Sequence, residues 1–552
     1  MPVSAALAAF ALTCSAFLLA ACGAGTAPAV REPHAPAPAS TSAKPGIQIR
    51  IHSPSQTSRV LRVEVEATGE GLASWTASGV GGSDSLTELT ASDAAGELPV
   101  QRGAGLQLTF ARPITGALSL RYALVAPDAF DPRLHVAETS FLLSLDALLL
   151  PRTDQMQHVR IEVLSDAQAA PSVATTLGGG PVHALDATPK ELRDVAVMVG
   201  PNMQTARFVT NEGRDDIYAL GGPSFDVRWA AAEMAMARSR IDVSLGRVAG
   251  AEFPWLIFAR AERHYVPPVV VQGSGLGVRM IVTQSEPWSA RTRIPVAQIL
   301  ASRWLGGSLR VGGDDAWLRL GFTRYVALRE LFAAGTISPG ELVHELNTLE
   351  AAVALDEPGP VGSMARGALY ALRCEGLLRA HASVRSLGAL LAPLFDRAEA
   401  TGGIVTLAEF EARLREILGE AEVGVFRQLH EHTAAIALPR GVPGRCFSQV
   451  SSVYRRFALG FEPPDPELDL PQPLHGLVPD GPAARAGSKE GDVLHALRYV
   501  PGDPNSDVEL EVERDGRAKT LRFKPSDRSS AGRGWKRNPA VRDDDCALFD
   551  AP

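Results

Sequence analysis

The sequence predicts a multidomain α+β protein. It should have an N-terminal β-sandwich-like domain, a mainly helical domain and a smaller C-terminal domain of strands and turns. Three observations predict this. The chain has 552 residues, too many for a single hydrophobic core. Its apolar residues alternate with period two up to about Gly222, turn helical from about Ser224 to Pro439, and return to strands and turns after Gly441. Apolar residues make up 45% and charged residues 21%, the balance of a globular chain. The net charge of −8 argues against a nucleic-acid partner, which needs a concentrated basic face.

Residues 1–21 are mostly apolar and end in Leu19-Ala20-Ala21, with Cys22 next. Small residues before a cysteine resemble a bacterial lipoprotein signal. That implies cleavage before Cys22, lipidation of its thiol and a membrane-anchored protein in the cell envelope. No Lys or Arg precedes the apolar run, so an ordinary signal peptide is the alternative. Residues 22–45 are rich in Ala and Pro and read as a tether.

Residues 46–222 carry the strand patterns IQIRIH, VLRVEVEA, LQLTFA, LSLRYALV and VRIEVLS, broken by turn residues. In 223–440, helices are expected over Phe225–Leu245, Val296–Trp304, Asp315–Ala334 and Met364–His381. Capping boxes open two more at Ser338–Glu341 and Thr406–Glu409. WLIFAR and VRMIVT read as strands. Cys446 and Cys546 flank the last domain and are the possible disulfide pair, whereas Cys374 sits in an apolar helix pattern and reads as a buried thiol. Residues 526–552 are polar and expected to be disordered.

In order along the chain, several segments resemble the glycyl aminopeptidase family of thermolysin-like metallopeptidases. Thr188-Pro-Lys-Glu-Leu-Arg-Asp-Val-Ala-Val-Met-Val-Gly200 is similar to the family's interdomain segment. Gly273-Ser-Gly-Leu-Gly277 is similar to its glycine-rich edge strand, and Arg366-Gly-Ala-Leu-Tyr370 to its later substrate-site helix. The resemblance implies a thermolysin-like helical domain over 223–440 and a PDZ-like domain over 445–525. Within the latter, Leu477 to Leu494 is similar to the strand, short helix and turn of bacterial PDZ domains. It also implies a zinc helix of the pattern H-E-x-x-H-x-W, in which two imidazoles one turn apart bind the metal and the Glu activates water.

The matching helix here is RIPVAQILASRWLGG, Arg293 to Gly307. Aligned on Trp304, the ligand positions hold Gln298 and Ser302 and the base position holds Ile299. The third ligand, a Glu in W-L-N-E-G-F, aligns with Leu320 in Trp317-Leu-Arg-Leu-Gly-Phe322. Ile and Leu have no lone pair to offer, Gln is an infrequent ligand and neutral Ser a poor one, whereas catalytic zinc takes three protein ligands and a water. No catalytic residue and no zinc are therefore expected there. Two roles for the helix remain. Val296, Ile299, Leu300 and Trp304 form an apolar stripe, which favours core packing. Alternatively, Ile299 and Leu320 floor a recruited pocket beside Gln298.

In a PDZ-like domain, the loop Leu459-Gly460-Phe461 is the candidate holder of a peptide's C-terminal carboxylate. The strand that would receive the peptide follows in Glu462-Pro-Pro-Asp-Pro466, where proline removes donors. The expected function is that of a non-catalytic peptidase homologue, a lipid-anchored binding or scaffold protein for peptides or protein C-termini. An active metallopeptidase or other hydrolase with an unrecognised site is the alternative, and a purely structural envelope lipoprotein a third.

Overall fold

The computed structural model describes residues 46–549 apart from 54–59, 69–70, 79–85, 104–106, 127–129, 137–139, 154, 166–170, 211–212, 248–251, 262–267, 275, 314–315, 381–383, 431–435, 465–469 and 501. The signal segment 1–21, Cys22 and the tether 22–45 lie outside the described residues. No described helix is long and apolar enough to cross a membrane. The architecture is multidomain α+β, as the changes of period imply.

The N-terminal region is three sheets sharing one core, the smallest being four-stranded and supplying Trp75, Leu108, Phe110 and Leu150. Ile47–His52 lies in the middle of a seven-stranded sheet, parallel to Gln157–Leu164 and antiparallel to Val60–Thr68. Alternation turns Ile47, Ile49, Ile51, Val63, Val65 and Ile161 inward. They meet Phe141, Leu143, Val197 and Val199 of a five-stranded sheet centred on Ala196–Gly200. That second sheet is apolar on both faces. Its other face, with Leu142, Ala174 and Met198, packs on Leu220, Leu256, Phe258 and Ile281 of the next sheet. The short helix α1 (Pro189–Leu192), opened by a capping box at Thr188, precedes Ala196–Gly200.

The next sheet has the order 204–210, 213–220, 252–260, 277–283, 269–274. Its three central strands are parallel, and the antiparallel pair Val269–Ser274/Gly277–Thr283 forms one edge. This moves the expected boundary at residue 222. Residues 204–220 belong by hydrogen bonding to the sheet of the helical region, because Gly213–Leu220 pairs with Glu252–Arg260. Alternation identifies a strand without saying which sheet it joins.

Eight helices follow or interleave: α2 (Val227–Ser244), α3 (Ala290–Ser302), α4 (Thr323–Ala333), α5 (Pro339–Ala354), α6 (Gly359–Arg379), α7 (Leu387–Ala400), α8 (Leu407–Leu418) and α9 (Glu420–His430). Both expected capping boxes form, Ser338 with Glu341 and Thr406 with Glu409. The expected helix Asp315–Ala334 is instead a one-turn π-helix, Trp317–Phe322, running into α4. Gly321 and Gly367 explain the local winding. A Cβ on Gly367 would lie 2.0 Å from the Trp317 carbonyl oxygen, and one on Gly321 would lie 2.5 Å from the Gly367 Cα. The π-turn therefore crosses α6 backbone to backbone.

The C-terminal region holds the sheet 472–473, 493–498, 508–514, 517–523 and the short helix α10 (Pro482–Arg485). The turn Asp515-Gly516 has positive φ at both residues, as a tight hairpin requires. The expected disordered tail is not found. Ser526–Arg537 is a strand paired along its length with Phe447–Phe457, and Cys446 is bonded to Cys546. The strand docks on α5. The Trp535 N–H donates to Asn347 Oδ1 at 2.8 Å, and Asn347 Nδ2 donates to the Trp535 carbonyl at 3.0 Å. Arg533 and the Trp535 indole both donate to the buried Glu350, at 2.6 and 3.1 Å. Polar composition misled because this strand is held by hydrogen bonds and one tryptophan rather than by an apolar face.

Ending the chain at Pro525 should therefore lower the thermal midpoint clearly. Asn347→Ala should cost about 1–3 kcal/mol in urea denaturation, since it strands the Trp535 amide and carbonyl. An unchanged midpoint in the truncated chain would contradict the docking.

Candidate interdomain cleft

Four elements converge on one cleft of about 730 Å³. Helix α3 supplies Gln298, Ile299, Ser302 and its C-terminal Arg303. The π-turn supplies Arg319 and Leu320, the edge strand supplies Val271 and Gly273, and the N-terminal region closes the far side with Asp186, Glu191 and Asp194. All four positions singled out from the zinc pattern thus line one space. Helix α3 divides its residues between two jobs. Ile294, Val296, Ala297, Leu300 and Ala301 are core. Ile299 belongs to both, packing against the core while facing the cleft beside Leu320.

Gln298 is a clamp. Its Nε2 donates to the Leu320 carbonyl at 3.2 Å and contacts the Met364 sulfur at 3.8 Å, while Arg324 donates to its Oε1 at 3.4 Å. One amide therefore ties α3 to the π-turn, α4 and α6. Ser302 donates to the Ile299 carbonyl at 2.7 Å, the local back-bond common for Ser inside a helix. Among these four side chains, two are apolar and two have engaged polar atoms. They do not make a three-ligand zinc site.

The Gly306-Gly307 pair that follows α3 has a packing cause. Gly306 has φ of +110° and a Cβ there would meet the Arg319 side chain at 2.5 Å, while a Cβ on Gly307 would lie 2.1 Å from the Arg303 carbonyl oxygen. Trp304 is not a plain core residue. Its indole donates to Asp242 at 2.5 Å, and Arg303 reaches the same carboxylate at 3.1 Å. Burial pushes the Asp242 carboxyl up and the Arg303 guanidinium down, with their mutual attraction opposing both shifts.

Gly273 sits directly over Ile299. A Cβ at that position would come within 2.7 Å of both Ile299 Cγ2 and the Gly277 carbonyl oxygen. Across the strand pair, the Thr283 N–H donates to the Pro268 carbonyl. In this register Val270 and Gln272 face the ladder, so the backbone groups of Val269, Val271 and Gly273 point to the open edge. That edge has no strand partner among the described residues. Tyr370, which ends the segment Arg366–Tyr370 likened to a substrate-site helix, is fully buried against Phe322 and Phe426. The acidic wall was missed from sequence. Asp186, Glu191 and Asp194 look like ordinary surface acids until the two regions pack together.

The candidate loop Leu459-Gly460-Phe461 lies elsewhere. Leu459 and Phe461 are core residues of the C-terminal region. Gly460 backs onto α10, where a Cβ would lie 2.8 Å from Pro482, and its carbonyl accepts from the Val478 N–H at 2.8 Å. Of the strand expected over Glu462–Pro466, residues 465 and 466 lie outside the described residues, and the described part makes one bridge, Glu462 with His475. Among the described residues, α10 is the only helix between 447 and 523.

If Gln298 is a clamp, Gln298→Ala should cost about 1 kcal/mol of stability by removing its bonds to the Leu320 carbonyl, which keeps Thr323 as a donor, and to Arg324, which keeps Glu345. Chemical denaturation measures this, and a neutral result would show that the amide holds nothing.

No family model and no curated relative matches the sequence. Solved structures do match. An aminopeptidase N family protein from Idiomarina loihiensis aligns over 90% of this chain and 98% of its own, with a TM-score of 0.65 at 13% identity. The M1 zinc metallopeptidase of Deinococcus radiodurans aligns over 71% of this chain and 95% of its own, with a TM-score of 0.47 at 16% identity. By the first of these likenesses the chain has the fold of an aminopeptidase N family protein, and the cleft lies where α3, the π-turn and the edge strand meet.

Proposed function

We propose that this protein is a non-catalytic peptidase homologue that binds an extended polypeptide segment in the interdomain cleft. The observation that carries the reading is the pairing of an open strand edge with a floor stripped of metal ligands. An incoming strand can hydrogen-bond to the outward backbone groups of Val271 and Gly273, the strand-addition mode of peptide recognition. Ile299, Leu320 and Leu276 would meet its apolar side chains. The cleft volume is within the range of small-ligand sites, enough for a few residues rather than a folded domain. The lipoprotein-like pattern of residues 1–21 and Cys22 supports a protein held in the cell envelope by a lipid on Cys22. Capture of C-termini by Leu459-Gly460-Phe461 has less support, because Leu459 and Phe461 are core residues and the described part of the receiving segment makes one bridge.

Val271→Pro separates this reading from a purely structural one. The Val271 N–H points away from the ladder, so proline removes an outward donor without breaking a bond to the neighbouring strand. Fluorescence anisotropy with a library of short extended peptides should show binding to the natural protein and about tenfold weaker binding to the variant, at a similar melting temperature. Chelator-sensitive peptide cleavage by the natural protein would overturn the proposal.

A further inference from the structure

Arg324 stands behind Gln298, the residue at the first-ligand position, and is held there in a way that ligand loss alone does not explain. It lies one helical turn after Leu320, so the two share a helix face. Its guanidinium donates to Gln298 Oε1 at 3.4 Å and to Glu345 at 2.5 Å. Both Arg324 and Glu345 are largely buried, with side chains 15% and 16% exposed. The Arg324 Nε is buried without a hydrogen-bond partner. The guanidinium, paired with Glu345, is therefore fixed directly behind Gln298.

We infer that Arg324 is a built-in replacement for a metal cation: it occupies the electrostatic place of a divalent ion and excludes one even when metal ligands are supplied. Two effects act together. A divalent ion bound at position 298 would lie close to the guanidinium, where repulsion in a partly buried site is weakly screened. A carboxylate placed at position 320 would also meet Arg324 across one helical turn and pair with it, rather than with a metal. The inference goes beyond the peptide-binding proposal and does not depend on what the cleft binds. It concerns why the site cannot be returned to metal chemistry by restoring its ligands.

The test uses the mature chain and Zn²⁺ alone as the probe. The fourfold variant Gln298→His, Ile299→Glu, Ser302→His, Leu320→Glu is compared with the same variant carrying Arg324→Gln. Bound zinc is read by elemental analysis after dialysis, and folding by circular dichroism. The fourfold variant should retain well under one zinc per chain and the fivefold variant close to one. Stoichiometric zinc in the fourfold variant would overturn the inference, as would a folded fivefold variant that retains none.

The introduced carboxylates could prevent folding, so a milder pair gives the same answer. Gln298→His with Ser302→His places two imidazoles one turn apart and leaves Ile299 and Leu320 in place. Adding Arg324→Gln should tighten its zinc affinity about tenfold, whereas Arg324→Lys, which keeps the charge, should leave it nearly unchanged. Equal affinity in all three would overturn the inference. Zinc bound tightly by the natural protein would overturn it together with the metal-free reading, so the two failures are told apart by which chain takes up the metal.

Discussion

The floor of the cleft depends on one side-chain amide. Gln298 uses both of its N–H groups and its oxygen on three neighbouring elements, the π-turn through the Leu320 carbonyl, α6 through Met364 and α4 through Arg324. Below it, Gly321 and Gly367 let the π-turn and α6 cross with no side chain between them. Together these contacts set where Ile299 and Leu320 face. A metal ion does comparable work when it joins residues from several elements. Here hydrogen bonds and close backbone packing join the elements instead, and the polar atoms that could have bound a ligand are turned inward.

The walls are fixed by a second set of buried contacts. Behind α3, Asp242 accepts from Arg303 and the Trp304 indole, and Asp215 accepts a bidentate contact from Arg238 together with the Trp255 indole at 2.9 Å. Buried pairs of this kind add little net stability against apolar replacements, but they are costly to break singly. On the other side, Leu142, Ala174 and Met198 weld the N-terminal region to the parallel sheet through Leu256, Phe258 and Ile281. The acidic wall of Asp186, Glu191 and Asp194 is thereby held against the edge strand. An open edge between two fixed walls suits an extended segment, because strand addition needs little rearrangement of the receiving backbone.

Much of this was legible in the sequence, for physical reasons that differ by element. Ile47, Ile49 and Ile51 alternate with polar residues and so declare a half-buried strand. The capping boxes at Ser338 and Thr406 fix where α5 and α8 begin, since they answer to local hydrogen bonding alone. The chemical positions were also legible, because Trp304 and the Trp317–Phe322 run set the register for Gln298, Ile299, Ser302 and Leu320. Three things were not. The strand Ser526–Arg537 is polar and is recognised only by its partners, Phe447–Phe457 and Asn347. The pairing of 213–220 with 252–260 is long-range and leaves no local mark. Arg324 reads as one more charged helix residue until the fold brings it to Gln298.

On the proposed reading, Gln298, Ile299, Ser302 and Leu320 hold no divalent ion where they meet. The most direct measurement is anomalous diffraction at the zinc edge from crystals grown in excess zinc. The account predicts no anomalous peak within bonding distance of Gln298 or Ser302. A peak there with tetrahedral contacts to protein atoms would contradict it.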